Sequence, residues 1–356
     1  MPECPVNHVV SEQQSCRQSL WQQAPAQRPV SICFLLAALV CGLFVCLSLL
    51  IGAGDVTMQH AWQAMLGHGS DEAQFVLMQL RLPRTLTGIY VGIALGISGA
   101  LMQALARNPL AEPGLLGVSA GASFAIAIAL ICGASVATLT AGVAQLGALA
   151  GCFFVMAAAR MQGQFKDPVR LVLAGAALSG LLTALTSILL LFDQRAADEI
   201  RFWVTGSIAG RSSENLMLVL PYGLIALAIT VYVSRPLAAM ALGEKVAQGL
   251  GHRPKVIRFW IVLAVALLVG SATAVAGPLV FIGLVVPFLA RAIVGADIRR
   301  TLLLCLPTGP ALLLCADIFT RLIARPAEMP LGVLTAIVGA PVLLLIVRAK
   351  RLPTLS

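Results

Sequence analysis

The chain has 356 residues, of which 59% are apolar and only 11% are charged, and its mean hydropathy is +0.94. Soluble domains carry about 25% charged residues, so this chain cannot cover its apolar surface as a water-soluble globule. Its net charge of +9 comes from basic residues scattered between apolar runs, which argues against a nucleic-acid partner. We therefore expect a membrane protein.

Several kinds of chemistry lack the residues that they need. None of the four lysines follows a glycine as in GxxxxGK[ST], so the chain carries no recognisable ATPase of its own. The four histidines lie outside the apolar runs, and none of the nine cysteines forms a CxxC pair. We expect no catalytic residue, no metal site and no cofactor, and we interpret the cysteines within apolar runs as small packing residues.

Apolar runs, free of charged residues except for the ninth, follow one another along almost the whole chain. A helix needs about 20 apolar residues to cross a membrane. In chain order the predicted spans are 33–54, 85–106, two within 113–159, 171–192, 216–234, two within 259–290, 301–323 and 331–347. We expect a Gly/Ser/Thr-rich break near 132–140 and a second break within GSATAVAGP at 270–278. The fold class is therefore all-α, a polytopic membrane protein with about 10 transmembrane helices.

The chain is expected to divide into a polar tail at 1–30, a transmembrane domain at 31–350 and a short tail at 351–356. The first apolar run is too long for a signal peptide and has no clear cleavage site, so we expect it to be retained as a span.

Basic residues are unevenly distributed between alternate loops of this ten-span arrangement. Of the 24 Lys and Arg residues, 17 fall on the side that holds both termini and 7 on the other. The seven are Arg81, Arg84, Arg195, Arg201, Arg211, Arg321 and Arg325. By the positive-inside rule both termini should be cytoplasmic. Spans 2–5 and 7–10 would then have opposite polarity, as in inverted repeats.

Three arginines are predicted near the outer surface. Arg81 and Arg84, in LRLPRTL at the start of span 2, are three residues apart and hence on one helical face, which we expect to point outward. Arg321 follows Asp317 by one helical turn in span 9, where the two can pair. The residues alone leave two alternatives for these cations, which are snorkelling to lipid headgroups and docking of an acidic partner.

Two inner segments also stand out. Two prolines interrupt the helix pattern within residues 99–123, GALMQALARNPLAEPGLLGVSAGAS. This segment could form an ordinary tight helical hairpin, or its backbone could be irregular and line a cavity. The loop at 235–258 contains LGEKVAQGLG, which places Leu242, Val246 and Leu250 on one face of a short helix. That apolar edge fits either a partner protein or the membrane interface.

The sequence resembles the FecCD/BtuC-type permeases, the membrane subunits of type II ATP-binding cassette importers. The resemblance covers about residues 30–350 and rests on four strings in particular. They are LRLPRTLTGIYVGIALGISGALMQALARNPLAEPGLLGVSAGAS, LGEKVAQGLG, AGPLVFIGLVVPFLAR and AEMPLGVLTAIVGAPVLLLIVRA. The polar N-terminal tail with Cys4 and Cys16 has no counterpart in the family pattern.

The resemblance implies a bacterial inner-membrane assembly of two permease subunits, either two copies or paralogues, with two cytoplasmic ATP-binding subunits and an extracytoplasmic substrate-binding protein. The implied cargo is a bulky metal chelate, a ferric siderophore first, with haem or cobalamin as alternatives. It implies that Arg81, Arg84 and Arg321 dock the binding protein and that Asn108, Pro109 and Leu110 lie near the cytoplasmic gate. The implied ATPase-coupling helix comprises Leu242, Gly243, Glu244, Val246, Leu250 and Gly251.

On this interpretation the chain transports by alternating access and catalyses no covalent step. A secondary transporter is the rival hypothesis. It should bury carboxylates or histidines near the middle of the membrane, and the sequence offers Asp317 alone, off centre. No repeated filter or charged ring indicates a channel.

Overall fold

The structure, a computed structural model, describes residues 29–52, 54, 56–134, 136–161, 168–324 and 327–348. Every regular element in these ranges is helical. Both predicted tails lie outside the described residues, apart from Pro29 and Val30 at the end of the N-terminal tail. The described ranges also leave out Lys166, Arg325 and Lys350. In chain order the α-helices are α1 Val30–Leu50, α2 Met58–Met65, α3 Asp71–Phe75, α4 Leu82–Ala106, α5 Val118–Ile131, α6 Val136–Met161, α7 Pro168–Leu189, α8 Gln194–Val204, α9 Ser213–Ala241, α10 Glu244–Gly249, α11 Pro254–Ala276, α12 Ile282–Val294, α13 Ile298–Ile323 and α14 Leu331–Arg348. A π-helix, Val76–Arg81, precedes α4, and a 3₁₀ turn, Pro113–Leu116, precedes α5.

Ten apolar helices among the described residues correspond to the ten predicted spans. Six are long and apolar enough to cross a membrane: α1, the segment Asp71–Ala106 that ends with α4, α6, α9, α11 and α13. The apolar stretches of α5, α7 (Leu173–Leu189), α12 and α14 (Leu331–Leu344) are shorter, with at most 17 residues. Helices dominate because a lipid-exposed backbone must satisfy its own N–H and C=O groups. The prediction of an all-α polytopic membrane protein is confirmed.

The division between spans 7 and 8 begins at Gly277 and Pro278, the last two residues of the predicted stretch. The stretch 270–276 stays helical as the end of α11, and the break comes at 277–281. The small residues of this stretch serve close packing instead: a Cβ added at Gly270 would lie 2.9 Å from the side chains of Ala148 and Gln145 on α6. Glycine at a membrane helix interface lets two backbones approach closely. Gly270 therefore serves the packing of α11 on α6 and does not end α11.

Helices α4 and α11 form the centre of the bundle. Of the most apolar 18-residue stretch of α11, 83% is buried inside the protein, against 6% for α1, which therefore lies at the periphery of the bundle. Helix α4 packs on α13 through glycines, since a Cβ at Gly92 would lie 2.6 Å from the backbone nitrogen of Pro310. In the same way α11 packs on α6.

This packing relates the two predicted four-helix blocks. The first helix of each block packs on the third helix of the other block. Span 2 (α4) packs on span 9 (α13), and span 7 (α11) packs on span 4 (α6). Spans 3 and 8 correspond to α5 and α12, which have only 14 and 13 residues. Each is about 20 Å long, less than the roughly 30 Å of a hydrocarbon core. The pattern is that of an inverted repeat with one half-helix in each block.

The irregular segment between α4 and α5 returns into the bundle. A Cβ added at Gly283 would lie 2.9 Å from Pro113 Cγ and 3.2 Å from the carbonyl oxygen of Leu95. Leu95 is near the middle of α4, so Pro113 lies at that depth. The sequence left two alternatives open for residues 99–123. The backbone between α4 and α5 is irregular, and the two helices are not joined by a tight hairpin.

Candidate functional site

Arg81 is tied to the end of α1. Its side chain is 4% exposed, and its guanidinium donates hydrogen bonds to the carbonyl oxygens of Leu49 (3.0 Å), Leu50 (2.7 Å) and Val56 (2.9 Å). The last carbonyls of a helix have no partner within it, and a cation there also suits the helix dipole. Arg81 therefore holds α1 against the start of α4.

Asp317, fully buried on α13, is shared by two arginines. Its Oδ1 accepts from Arg84 Nη2 at 2.7 Å, and its Oδ2 accepts from Arg321 Nη2. Arg84 Nη1 also pairs with Glu328 Oε2 at 2.7 Å, where the glutamate side chain is 33% exposed. We call these residues with Arg81 the arginine cluster (Arg81, Arg84, Asp317, Arg321 and Glu328). The predicted pairing of Asp317 with Arg321 is confirmed.

Arg321 adds a second attachment to α1. Its Nη1 donates to the carbonyl oxygens of Ser48 (2.8 Å) and Ile51 (2.7 Å), and its side chain is 1% exposed. The Ser48 hydroxyl in turn lies 2.9 Å from the Thr85 hydroxyl of α4. Three transmembrane helices thus meet at this cluster.

The expectation that Arg81 and Arg84 point outward is wrong for Arg81, which turns inward as Arg321 does. Both turn inward because the carbonyls at the end of α1 and the Asp317 carboxylate need donors at that depth. The edge that remains accessible consists of Arg84, 11% exposed, and Glu328. The docking role assigned to the three arginines stays a prediction.

The predicted coupling segment lies at the opposite end of α4. Helix α4 has 25 residues and is therefore about 37 Å long. At the end opposite Arg81, the Arg107 guanidinium donates to the Met240 carbonyl oxygen at 2.8 Å, just before α10. The arginine cluster and α10 are therefore on opposite faces of the bundle.

Helix α10 exposes the apolar edge that the sequence predicts. Leu242, Val246 and Leu250 are 73%, 46% and 63% exposed, whereas Ala247 on the other side is buried. The helix is shorter than the motif, so Leu242 and Leu250 flank it. Gly243 and Gly251 bound the segment at φ of +119° and +81°, conformations that favour glycine. An ion pair between Glu244 and Arg258 fastens the segment to α11.

The predicted gate residues form a compact turn at the same end. The Asn108 side-chain oxygen accepts from Leu110 N at 2.9 Å, and the Asn108 carbonyl accepts from Ala111 N at 3.1 Å. The preceding Arg107 adopts a left-handed conformation that ends α4, with φ of +49°. Through Arg107 this turn is joined to the chain that leads into α10.

Four polar residues that bond distant segments of the chain were not predicted from the sequence: Gln103, Arg107, Glu112 and Arg291. Gln103 on α4 accepts from Arg291 Nη2 and donates to the Leu284 carbonyl at 3.3 Å, both on α12. Glu112 Oε1 accepts from Phe281 N at 3.2 Å. Gln103 lies within a predicted apolar run, which was an available signal, whereas Arg107, Glu112 and Arg291 lie just outside such runs. A single sequence does not show which of these residues meet.

An apolar cavity of about 330 Å³ lies between α12, α13 and α14. Its lining includes Phe281, Val285, Phe319, Leu334 and Gly339. Within the described ranges, no group of three or more His, Cys, Asp or Glu side chains is placed to hold a metal ion.

The fold and the two polar ends define a multi-pass helical membrane protein with the architecture of a transporter. The chain belongs to the FecCD transport family, whose model matches residues 39–349. The members of this family are permease subunits of ABC transporters, which are not themselves catalytic.

Named relatives cover most of the chain. It is 45% identical to the ferric enterobactin transport system permease protein FepD of Escherichia coli (strain K12), over 85% of this chain and 91% of that protein. It is 38% identical to the probable siderophore transport system permease protein YfiZ of Bacillus subtilis (strain 168), over 87% of this chain and 95% of that protein. A solved structure described as an inward-facing conformation of a metal-chelate type ABC transporter matches with a TM-score of 0.78 and 30% identity, over 89% of this chain and 98% of that one.

Proposed function

We propose that this chain is the membrane-spanning permease subunit of an ATP-driven importer for a ferric siderophore. The observation that carries the proposal is the similarity over nearly the full length to permeases named for ferric enterobactin and siderophore transport. Haem and cobalamin are the alternative cargoes. The chain contributes a passage and performs no covalent step.

The assembly that we propose contains two permease subunits, either two copies of this chain or this chain with a paralogue. Two cytoplasmic ATP-binding subunits and an extracytoplasmic binding protein complete it, without nucleic acid. The exposed apolar edge of α10 suits a groove on the ATP-binding subunit. Arg84 and Glu328, on the opposite face, suit a polar contact with the binding protein.

We further propose that the protein lies in a bacterial inner membrane with both termini in the cytoplasm. The excess of Lys and Arg on one side of the ten spans supports this orientation. It places α10 in the cytoplasm and the arginine cluster outside.

In the proposed mechanism, ATP binding closes the two ATP-binding subunits and moves the α10 segment of each permease. Arg107 transmits that movement to the Asn108–Leu110 turn, because its guanidinium bonds the Met240 carbonyl next to α10. The turn then opens or closes the cytoplasmic end of the passage. Such a rigid-body change requires the packed helices to have two arrangements.

The test uses the reconstituted complex of this chain with its ATP-binding subunits and binding protein. Ferric siderophore should enter vesicles only with ATP, and loaded binding protein should raise ATP hydrolysis. Arg84→Gln should reduce that stimulation, whereas Arg201→Gln, which alters an exposed pair with Asp198, should not. Uptake without ATP would instead indicate a secondary transporter, and uptake of haem or cobalamin but no ferric siderophore would contradict the cargo. Normal stimulation of the Arg84 variant would contradict docking at that residue.

A further inference from the structure

Glu112 occupies an unusual place between the two half-helices of the bundle. It follows the gate turn by two residues and precedes Pro113, which lies at mid-depth against Gly283. Its side chain is partly exposed and reaches the start of α12, where Oε1 accepts from Phe281 N. A carboxylate within a membrane domain is costly, so its presence there favours a functional role.

The bond supplies a cap that α12 lacks in its own sequence. Phe281 is the N-cap residue of α12, and its own side chain makes no capping hydrogen bond. The first N–H groups of a helix have no partner within it, and a carboxylate is favourable at this positive end of the helix dipole. The cap is therefore provided by the segment that leads into the other half-helix.

Phe281 itself has a sparsely populated backbone conformation. Its φ is +68°, one of two positive values among the described non-glycine residues. An aromatic residue adopts this conformation only where surrounding contacts impose it. Two such contacts are visible. Phe281 N donates a hydrogen bond to Glu112 Oε1, and the ring lies close to α14, where a Cβ added at Gly339 would lie 2.5 Å from Phe281 Cγ.

The position of Phe281 gives this bond a mechanical consequence. The residue lines the apolar cavity between α12, α13 and α14. On its other side, through Glu112 and Ala111, it is linked to Asn108 and so to Arg107 and the chain before α10. A continuous series of bonded residues thus runs from the coupling segment to the cavity wall.

We propose that Glu112 is a positioning residue of the transport cycle. Its carboxylate holds Phe281 and the first turn of α12, so that movement of the gate turn at Asn108–Leu110 also moves the wall of the apolar cavity. The proposal rests on the transport function proposed above and adds a residue to its machinery.

The main test compares two substitutions in the reconstituted complex. Glu112→Leu has similar size but no acceptor, whereas Glu112→Gln keeps a carbonyl oxygen that can accept from Phe281 N. We expect Glu112→Leu to lower the amount of cargo transported per ATP hydrolysed by about tenfold, with basal ATP hydrolysis unchanged, and Glu112→Gln to keep at least half of the coupling. Glu214→Leu, which removes an exposed glutamate from the first turn of α9, is the matched control.

A static capping role would not change the ratio of transport to hydrolysis. A normal ratio in Glu112→Leu would therefore overturn the proposal, as would equal losses in the Leu and Gln variants. If the Leu variant does not assemble, Glu112→Asp decides. Its side chain is one methylene shorter, so we expect reduced coupling, and full coupling would overturn the proposal.

A second measurement does not depend on cargo. Amide hydrogen exchange of residues 279–285 should be faster in Glu112→Leu than in Glu112→Gln, and in the wild-type complex it should change when ATP binds. Unchanged exchange in all three would overturn the proposal. Failure of the wild type to transport any iron chelate would contradict the proposed function separately, while the exchange data would still decide whether Glu112 holds α12.

Discussion

Asp317 is a single buried carboxylate that pairs with two arginines, which from hydropathy alone would be expected to lie at the lipid headgroups. It is fully buried and bonds Arg84 and Arg321, and the latter also bonds the end of α1. A buried charge is tolerated where it is paired and hydrogen-bonded. The arginine cluster therefore joins α1, α4 and α13 whatever else it binds.

Asp317→Asn should destabilise the protein by about 3–5 kcal/mol, because it leaves two buried guanidinium groups without the carboxylate that they share. The midpoint of thermal unfolding in detergent measures this effect. Asp198→Asn is the matched control, since its pair with Arg201 is largely exposed and should contribute no more than about 1 kcal/mol. Equal midpoints for the two variants would contradict the structural role of the cluster.

At the scale of elements, α10 is a six-residue helix whose persistence depends on its boundaries. Positive φ at Gly243 and Gly251 turns the chain at both ends, and the Glu244–Arg258 pair fixes it to α11. Its apolar side chains remain exposed. A short isolated helix is marginal in water, so these attachments give α10 a fixed orientation.

Leu250→Asp should separate the ATP-binding subunits from the permease and reduce transport by at least about tenfold, since a charge would be buried in the proposed groove. Co-purification and vesicle uptake measure the two effects. Leu250→Met, which conserves the apolar surface, should retain both. An Asp variant that still binds the ATPase and transports normally would indicate that α10 only rests on lipid.

At the scale of the whole molecule, the sequence predicted the ten spans because lipid demands long apolar helices wherever the backbone crosses. It also predicted the exposed edge of Leu242, Val246 and Leu250 from their helical spacing, although the helix proves shorter than the motif and Leu242 and Leu250 flank it. Prediction from the sequence failed for features that depend on how the helices pack against one another. The inward turn of Arg81, the continuation of α11 through 270–276 and the Glu112–Phe281 bond depend on neighbours far away in the chain.

The orientation of the whole bundle can be tested with a cysteine at each end. Cys132, exposed in the turn after α5, belongs to the face that we propose to be extracytoplasmic, and Gln248→Cys would place a thiol on α10 at the other. In a background without other cysteines, a membrane-impermeant thiol reagent should label Cys132 in intact cells. The same reagent should label the Gln248→Cys variant, with Cys132 replaced by serine, only in inside-out vesicles. The opposite result would invert the molecule and place α10 outside, where no ATP-binding subunit could drive it, so that both the positive-inside assignment and the import direction would have to be abandoned.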